Sequence, residues 1–128
     1  MKIAVLIARI LLGLLFLFFG LNGFLNFLHA PIPPGPAGQF LGLLYPTFYL
    51  HFVFAVQIVG AVLLLSGQFV PLALVLLGPV IVNILLFHIS LEPAGLPPAL
   101  FAALLWFIIF LGVRKAFGGI FAQKVEVG

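Results

Sequence analysis

Four long apolar runs constrain the fold of this 128-residue chain more than any other feature. They cover about residues 3–27, 47–65, 69–89 and 98–113, and Arg9 is the only Lys, Arg, Asp or Glu within them. A helix crosses the hydrocarbon core of a bilayer with about 20 mostly apolar residues. The four runs therefore predict an all-α protein, a four-helix transmembrane bundle that forms one domain over residues 1–128.

The composition excludes most soluble classes of protein. Hydrophobic residues make up 66% of the chain and charged residues 5%, whereas soluble domains average about 45–50% and about 25%. A soluble enzyme or a disordered chain needs more charge than this, and five scattered Lys and Arg residues give no basic stripe for nucleic acid. The absence of cysteine excludes disulfides, thiol catalysis and thiolate metal sites. The predicted partner is the lipid bilayer.

The connections between the runs are rich in helix-breaking residues. Residues 29–38 hold four prolines and two glycines, which predicts a loop, and a short interfacial helix is predicted over residues 39–44. Residues 66–68 predict a tight turn. The pair Gly78 and Pro79 lies in the middle of the third run, where a proline is expected to kink the helix.

The positive charges indicate the orientation of the chain. All five Lys and Arg residues lie near the termini, and the three connections carry none. Cytoplasmic segments are enriched in these residues, and an even number of spans places both termini on one side. The prediction is an up-down-up-down bundle with both termini in the cytoplasm.

Polar side chains in the apolar runs or just beyond them are the candidate site residues. The set is Asn22, Asn26, His29, His51, Gln57, Asn83 and His88. All of them fall on the extracytoplasmic side of the predicted bundle. Amides and imidazoles find no partners in hydrocarbon, so they are expected to converge between the helices. Three interpretations stay open: hydrogen bonds that fix the bundle, a small-molecule pocket that opens outward, and a bound metal. The spacing of the three histidines matches no recognised metal motif, so no metal site is assigned.

Small residues recur at helical spacing along the first run. Gly13, Gly20 and Gly23 follow Arg9 on one face and predict a packing seam, because small residues let helix backbones approach closely. Arg9 itself lies about two turns from the cytoplasmic end. It is expected to extend toward the lipid headgroups, to cap the seam by bonding helix-end carbonyls, or to do both.

Several segments resemble the DoxX family, in the same order and over nearly the whole chain. They are residues 8–16 (ARILLGLLF), 19–24 (FGLNGF), 60–73 (GAVLLLSGQFVPLA) and 82–88 (VNILLFH). The resemblance implies a small four-helix protein of the bacterial or archaeal plasma (inner) membrane. Some relatives look like subunits of thiosulfate:quinone oxidoreductases, and others are linked to oxidative or thiol stress. Relatives often carry Lys and Glu three residues apart in the second helix. Phe54 and Gln57 stand there in this chain, so a proton or ion role of that carboxylate does not carry over.

The sequence favours a membrane subunit that binds an apolar or quinone-like molecule in support of a redox or stress-response partner subunit. Sixteen phenylalanines could surround a ring, and His, Asn, Tyr and Trp side chains could bond its oxygens. One alternative is a structural or assembly protein without a ligand. Another is a small transporter, which a chain of this length could form only as a homo-oligomer. No residue is assigned a catalytic role.

Overall fold

The computed structural model describes residues 1–29 and 31–128, and this part of the chain is helical with no strand. Its α-helices are α1 (Lys2–Leu25), α2 (Gly35–Leu44), α3 (Phe48–Ser66), α4 (Val70–Ser90) and α5 (Leu96–Val113). Short 3₁₀ turns, Pro93–Gly95 and Arg114–Phe117, flank α5. Helices α1, α3, α4 and the α5 region are long and apolar enough to cross a membrane. The prediction of an all-α fold with four spanning helices is therefore confirmed.

The four long helices contact one another in a ring. Helix α1 lies between α3 and α5, and α4 contacts the same two helices from the opposite side. The buried core runs along this ring and is made of small and branched apolar side chains, with Phe16 the largest member that is almost fully buried. Gly60 on α3 lies against Leu77 on α4, so these helices run antiparallel from their shared turn. The direction of each span across a membrane and the side of the termini stay predictions.

Local sequence signals explain where α3 begins and where it ends. The Thr47 hydroxyl accepts a hydrogen bond from the backbone N–H of Tyr49 at 3.2 Å and so caps the start of α3. Gly67 ends the helix with φ of 73°, a left-handed conformation that suits glycine. Pro71 lies in the first turn of α4, where its missing N–H costs no helical bond. The predicted turn at residues 66–68 thus becomes a short helical hairpin connection.

Helix α2 begins earlier than the sequence predicted. The loop prediction for residues 29–38 is wrong at its C-terminal end, because α2 starts at Gly35 and not at Gln39. Pro36 lies in the first turn of α2, a position where proline is favoured since its fixed φ suits a helix start. Ala30, inside the same predicted loop, lies outside the described residues.

Candidate ligand-binding groove between α2, α3 and α4

A groove of about 750 Å³ lies between α3 and α4, and side chains of α2 complete its wall. This volume is typical of sites for small molecules, which occupy about 300–1,000 Å³. The lining is mainly apolar and aromatic. Its polar side chains include three of the predicted site residues, Gln57, Asn83 and His88. The groove opens on the side of the bundle, since Phe52 and Leu86 line it and are more than half exposed.

Helix α2 contributes an apolar face to the groove through Phe40, Leu41 and Leu44. The rings of Phe40 and Phe87 lie 5.8 Å apart, which joins α2 to the end of α4. Tyr45, directly after α2, is a further lining residue. These residues are not among the predicted site residues, although the spacing of Phe40, Leu41 and Leu44 is that of one face of a helix.

Gln57 is the most deeply placed polar residue of the groove. It is 6% exposed and is the only buried polar residue among the described ones. Gly20 on α1 lies beside it, and a Cβ atom at Gly20 would come within 3.4 Å of the Cβ of Gln57. The Gln57 amide makes no side-chain hydrogen bond with any described residue. Both its donors and its acceptor are therefore available to a molecule in the groove.

The side chains of Asn83 and His88 each use one nitrogen atom in a hydrogen bond with a backbone carbonyl oxygen. The Asn83 Nδ2 atom donates a hydrogen bond to the carbonyl oxygen of Pro79 at 2.8 Å, one turn earlier in α4. The His88 Nδ1 atom lies 3.0 Å from the carbonyl oxygen of Glu92 and 3.6 Å from its carboxylate. The His88 ring also lies against Gly95, where a Cβ atom would overlap it. These contacts fix both side chains at the groove wall.

The other four polar residues of the predicted set do not line the groove. The Asn22 side chain accepts a hydrogen bond from the backbone N–H of Leu28 at 2.9 Å, and Asn26 ends α1 in a left-handed conformation. His29 is exposed. His51 is also exposed, and its ring lies 5.4 Å from that of Phe24.

The expectation that the polar residues form one cluster is therefore wrong. Asn22 and Asn26 satisfy the end of α1 instead, because the last carbonyls of a helix and the N–H groups just beyond it need local partners. His51 lies in the first turn of α3, near the end of the bundle, where its ring can stay exposed. The part of the set that the structure brings together is Gln57, Asn83 and His88.

The glycines of the first run lie along α3. Cβ atoms at Gly13, Gly20 and Gly23 would approach within 2.8, 2.8 and 2.2 Å of side chains of Leu65, Ile58 and Phe54 respectively. The close contact of α1 with α3 thus depends on small residues, as such seams do in membranes.

Arg9 lies at the end of this seam, with its guanidinium group against Gly67 in the α3–α4 turn. Its Nε atom is buried and has no hydrogen-bond partner within the described part of the chain. The hydrogen bonds from Arg9 to helix-end carbonyls that the sequence suggested are not formed there. Among the described residues, no three of His, Cys, Asp and Glu lie together in a way that could hold a metal ion.

A comparison with family models matches residues 4–89 to DoxX. The match covers about two-thirds of the chain, from α1 almost to the end of α4, and includes all three polar residues that meet in the groove. The chain therefore belongs to the DoxX family, as its sequence motifs suggested. With its four long apolar helices, it is a multi-pass membrane protein. No curated protein and no solved structure gives a significant match.

Proposed function

We propose that the groove binds an apolar small molecule with a polar ring or head, of the quinone type. The protein would then act as a membrane subunit that supports a redox or stress-response complex in a bacterial or archaeal plasma membrane, with both termini cytoplasmic. The observation that carries this proposal is Gln57, a residue only 6% exposed that lines an apolar groove and whose amide lacks a side-chain hydrogen bond to any described residue.

The Gln57 amide is accessible from the groove, since neither its nitrogen nor its oxygen is a fully buried atom without a partner in the described part of the chain. Lipid tails cannot supply a hydrogen bond there. A ligand oxygen can, because the Gln57 amide donates to a carbonyl or accepts from a hydroxyl. Aromatic side chains such as Phe40, Tyr49 and Phe87 are suited to contact a flat ring beside it.

The partner of this subunit is part of the same proposal. Some DoxX relatives look like subunits of thiosulfate:quinone oxidoreductases, and a quinone-binding membrane subunit needs an electron-transferring protein beside it. This chain lacks cysteine and therefore has no thiol of its own for redox chemistry. A separate redox subunit in the membrane, or a second copy of this chain, would complete the assembly.

The test is purification of the full chain in mild detergent, followed by mass spectrometry of the extracted small molecules and thermal-unfolding titrations with decylubiquinone. A ligand present at 100 times its Kd stabilises the folded state by about 2.7 kcal/mol. We expect decylubiquinone to raise the melting temperature of the wild-type protein. The variant Gln57→Leu should lose this shift while folding normally.

Gln39→Leu is the matched control, since Gln39 is exposed on α2 and does not line the groove. It should keep the response to decylubiquinone. A wild-type protein that contains no extracted small molecule and shows no thermal shift would contradict ligand binding and favour the structural role. Extraction of phospholipid alone, again without a shift, would make the groove a lipid-contact surface.

A further inference from the structure

We infer that Arg9 binds the phosphate group of a phospholipid beside the α3–α4 turn, at a site separate from the groove. The inference does not depend on the proposed function. It follows from three properties of the Arg9 guanidinium group: the fold holds it in a defined place, it has no acceptor within the described part of the chain, and exposed apolar side chains lie near it.

Gly67 in the turn sets the place of the guanidinium group. A Cβ atom at Gly67 would lie 3.0 Å from Nη2 and 3.1 Å from Nη1 of Arg9, so the group rests on a position without a side chain. Arg9 lies seven residues after the start of α1, about 10 Å along the helix axis, and so reaches the level at which α3 ends and α4 begins. Since non-helical turns between spans lie outside the hydrocarbon, this is the level of the lipid headgroups.

No acceptor in the described part of the chain satisfies this group. Arg9 makes no side-chain hydrogen bond with a described residue, and the one ion-pair contact among these residues joins His88 to Glu92. By contrast, Arg114 at the end of α5 donates to the carbonyl oxygen of Leu111. The Nε atom of Arg9 is buried, whereas Nη1 and Nη2 are not among the fully buried atoms without a partner. Both terminal nitrogens are therefore accessible to an acceptor from outside the chain.

The chemistry of the free group favours a phosphate. The N–H groups of a guanidinium form paired hydrogen bonds with two oxygens of a phosphate, and these charge-assisted bonds are stronger than bonds between neutral groups. The surrounding charge favours an anion as well. Gly112 near the end of α5 lies against Val5 on α1. Arg114 and Lys115, which follow Gly112, therefore add positive charge at the same end of the bundle.

The apolar side chains near Arg9 indicate that the phosphate belongs to a lipid and is not a free ion. Leu6, one turn before Arg9 on α1, is 45% exposed, and Phe69, two residues after Gly67, is 68% exposed. Both side chains are open to acyl chains. A phospholipid supplies the phosphate for the guanidinium group and the hydrocarbon for these side chains, whereas a phosphate ion supplies only the first.

The test compares two lipids with the same acyl chains, dioleoylphosphatidylglycerol and dioleoylglycerol, which lacks the phosphate. The purified full-length protein is titrated with each lipid in one neutral detergent. Thermal unfolding gives the affinity, and native mass spectrometry counts the bound lipids. We expect one phospholipid per chain to bind at least about tenfold more tightly than dioleoylglycerol, since a hydrogen bond to a charged group is worth about that factor. Equal affinities for the two lipids would overturn the site.

Arg9→Gln should lower the affinity for the phospholipid about tenfold. Arg9→Lys should weaken binding as well, because an ammonium group keeps the charge but lacks the paired geometry. Lys115→Gln is the matched control, since it removes one charge from an exposed position at the same end, and it should bind the phospholipid as the wild type does. An equal loss of affinity in Lys115→Gln would overturn the defined site and indicate a diffuse attraction between charges.

Two further measurements keep the inference falsifiable. If Arg9→Gln does not fold, the comparison of the two lipids in the wild type and in Arg9→Lys decides the matter. Inorganic phosphate, titrated alone, should leave the melting temperature unchanged. A saturating shift with inorganic phosphate that is lost in Arg9→Lys would overturn the assignment to a lipid.

Discussion

The indole N–H of Trp106 on α5 donates a hydrogen bond to the carbonyl oxygen of Leu74 on α4, at 3.0 Å. The accepting carbonyl lies one turn before Gly78 and Pro79. Trp106 also stacks on Phe110, with the two rings 5.5 Å apart and nearly parallel. A tryptophan in the middle of a span thus connects two helices and satisfies its own polar group inside the bundle.

We expect Trp106→Phe to destabilise the bundle by about 0.6 kcal/mol, the average for hydrogen bonds between membrane helices, and by no more than about 1.7 kcal/mol, the largest value. Thermal unfolding in detergent gives the measurement. Phe107→Leu serves as the control, because Phe107 is the next residue along α5 and its side chain is 58% exposed. Equal melting temperatures for Trp106→Phe and the wild type would show that this bond contributes no stability.

Gly20→Ala should destabilise the contact between α1 and α3 by about 1–3 kcal/mol, the usual cost of overfilling a packed interface. The added Cβ atom would lie 2.8 Å from Cγ1 of Ile58 and 3.3 Å from the Phe54 backbone oxygen. The same substitution at Gly42 on α2 is the matched control, since a Cβ atom there meets nothing within 4 Å. The two variants should differ in melting temperature, and identical values would refute the seam.

Asn22→Ala should loosen the end of α1 without unfolding the bundle. The side chain accepts a hydrogen bond from the Leu28 N–H, and loss of one such bond costs about 1 kcal/mol. Amide exchange at Leu28 should then accelerate about fivefold, because local opening governs exchange there. Leu21→Ala on the adjacent position provides the control. Exchange at Leu28 that stays as slow as in the wild type would contradict the capping role.

We expect a reporter enzyme that is active only in the cytoplasm to be active when it is fused after Gly128. A reporter that is active only in the periplasm should be inactive at the same position. The reason is the restriction of all five Lys and Arg residues to the two terminal regions. A reporter inserted at Gly42, in the first connection between spans, is expected to show the opposite pattern. The reverse result at both positions would place the termini outside.

The number and approximate bounds of the spanning helices could be predicted from hydropathy, because hydrocarbon demands long apolar helices whatever their packing. The inward faces could not be predicted as well. In lipid a helix is apolar all round, so the exposed Val62 and the buried Leu64 two residues later carry no contrast that separates core from lipid. The depth of a residue along a predicted span does not reveal its hydrogen-bond partner. Asn83 bonds to its own helix, and Asn22 caps the end of α1. The start of α2 is hard to predict because a segment with four prolines favours a loop, although a single proline such as Pro36 is also favoured in the first turn of a helix.

The sideways opening of the groove between α3 and α4 determines how the concentration of an occupant must be expressed. A molecule apolar enough to fit dissolves mainly in the bilayer and reaches the exposed Phe52 and Leu86 along the membrane plane. Partitioning raises its local concentration far above the aqueous value. Occupancy therefore depends on the mole fraction of ligand in lipid, and adding empty vesicles or detergent dilutes it. A modest intrinsic affinity is then enough to keep the groove filled.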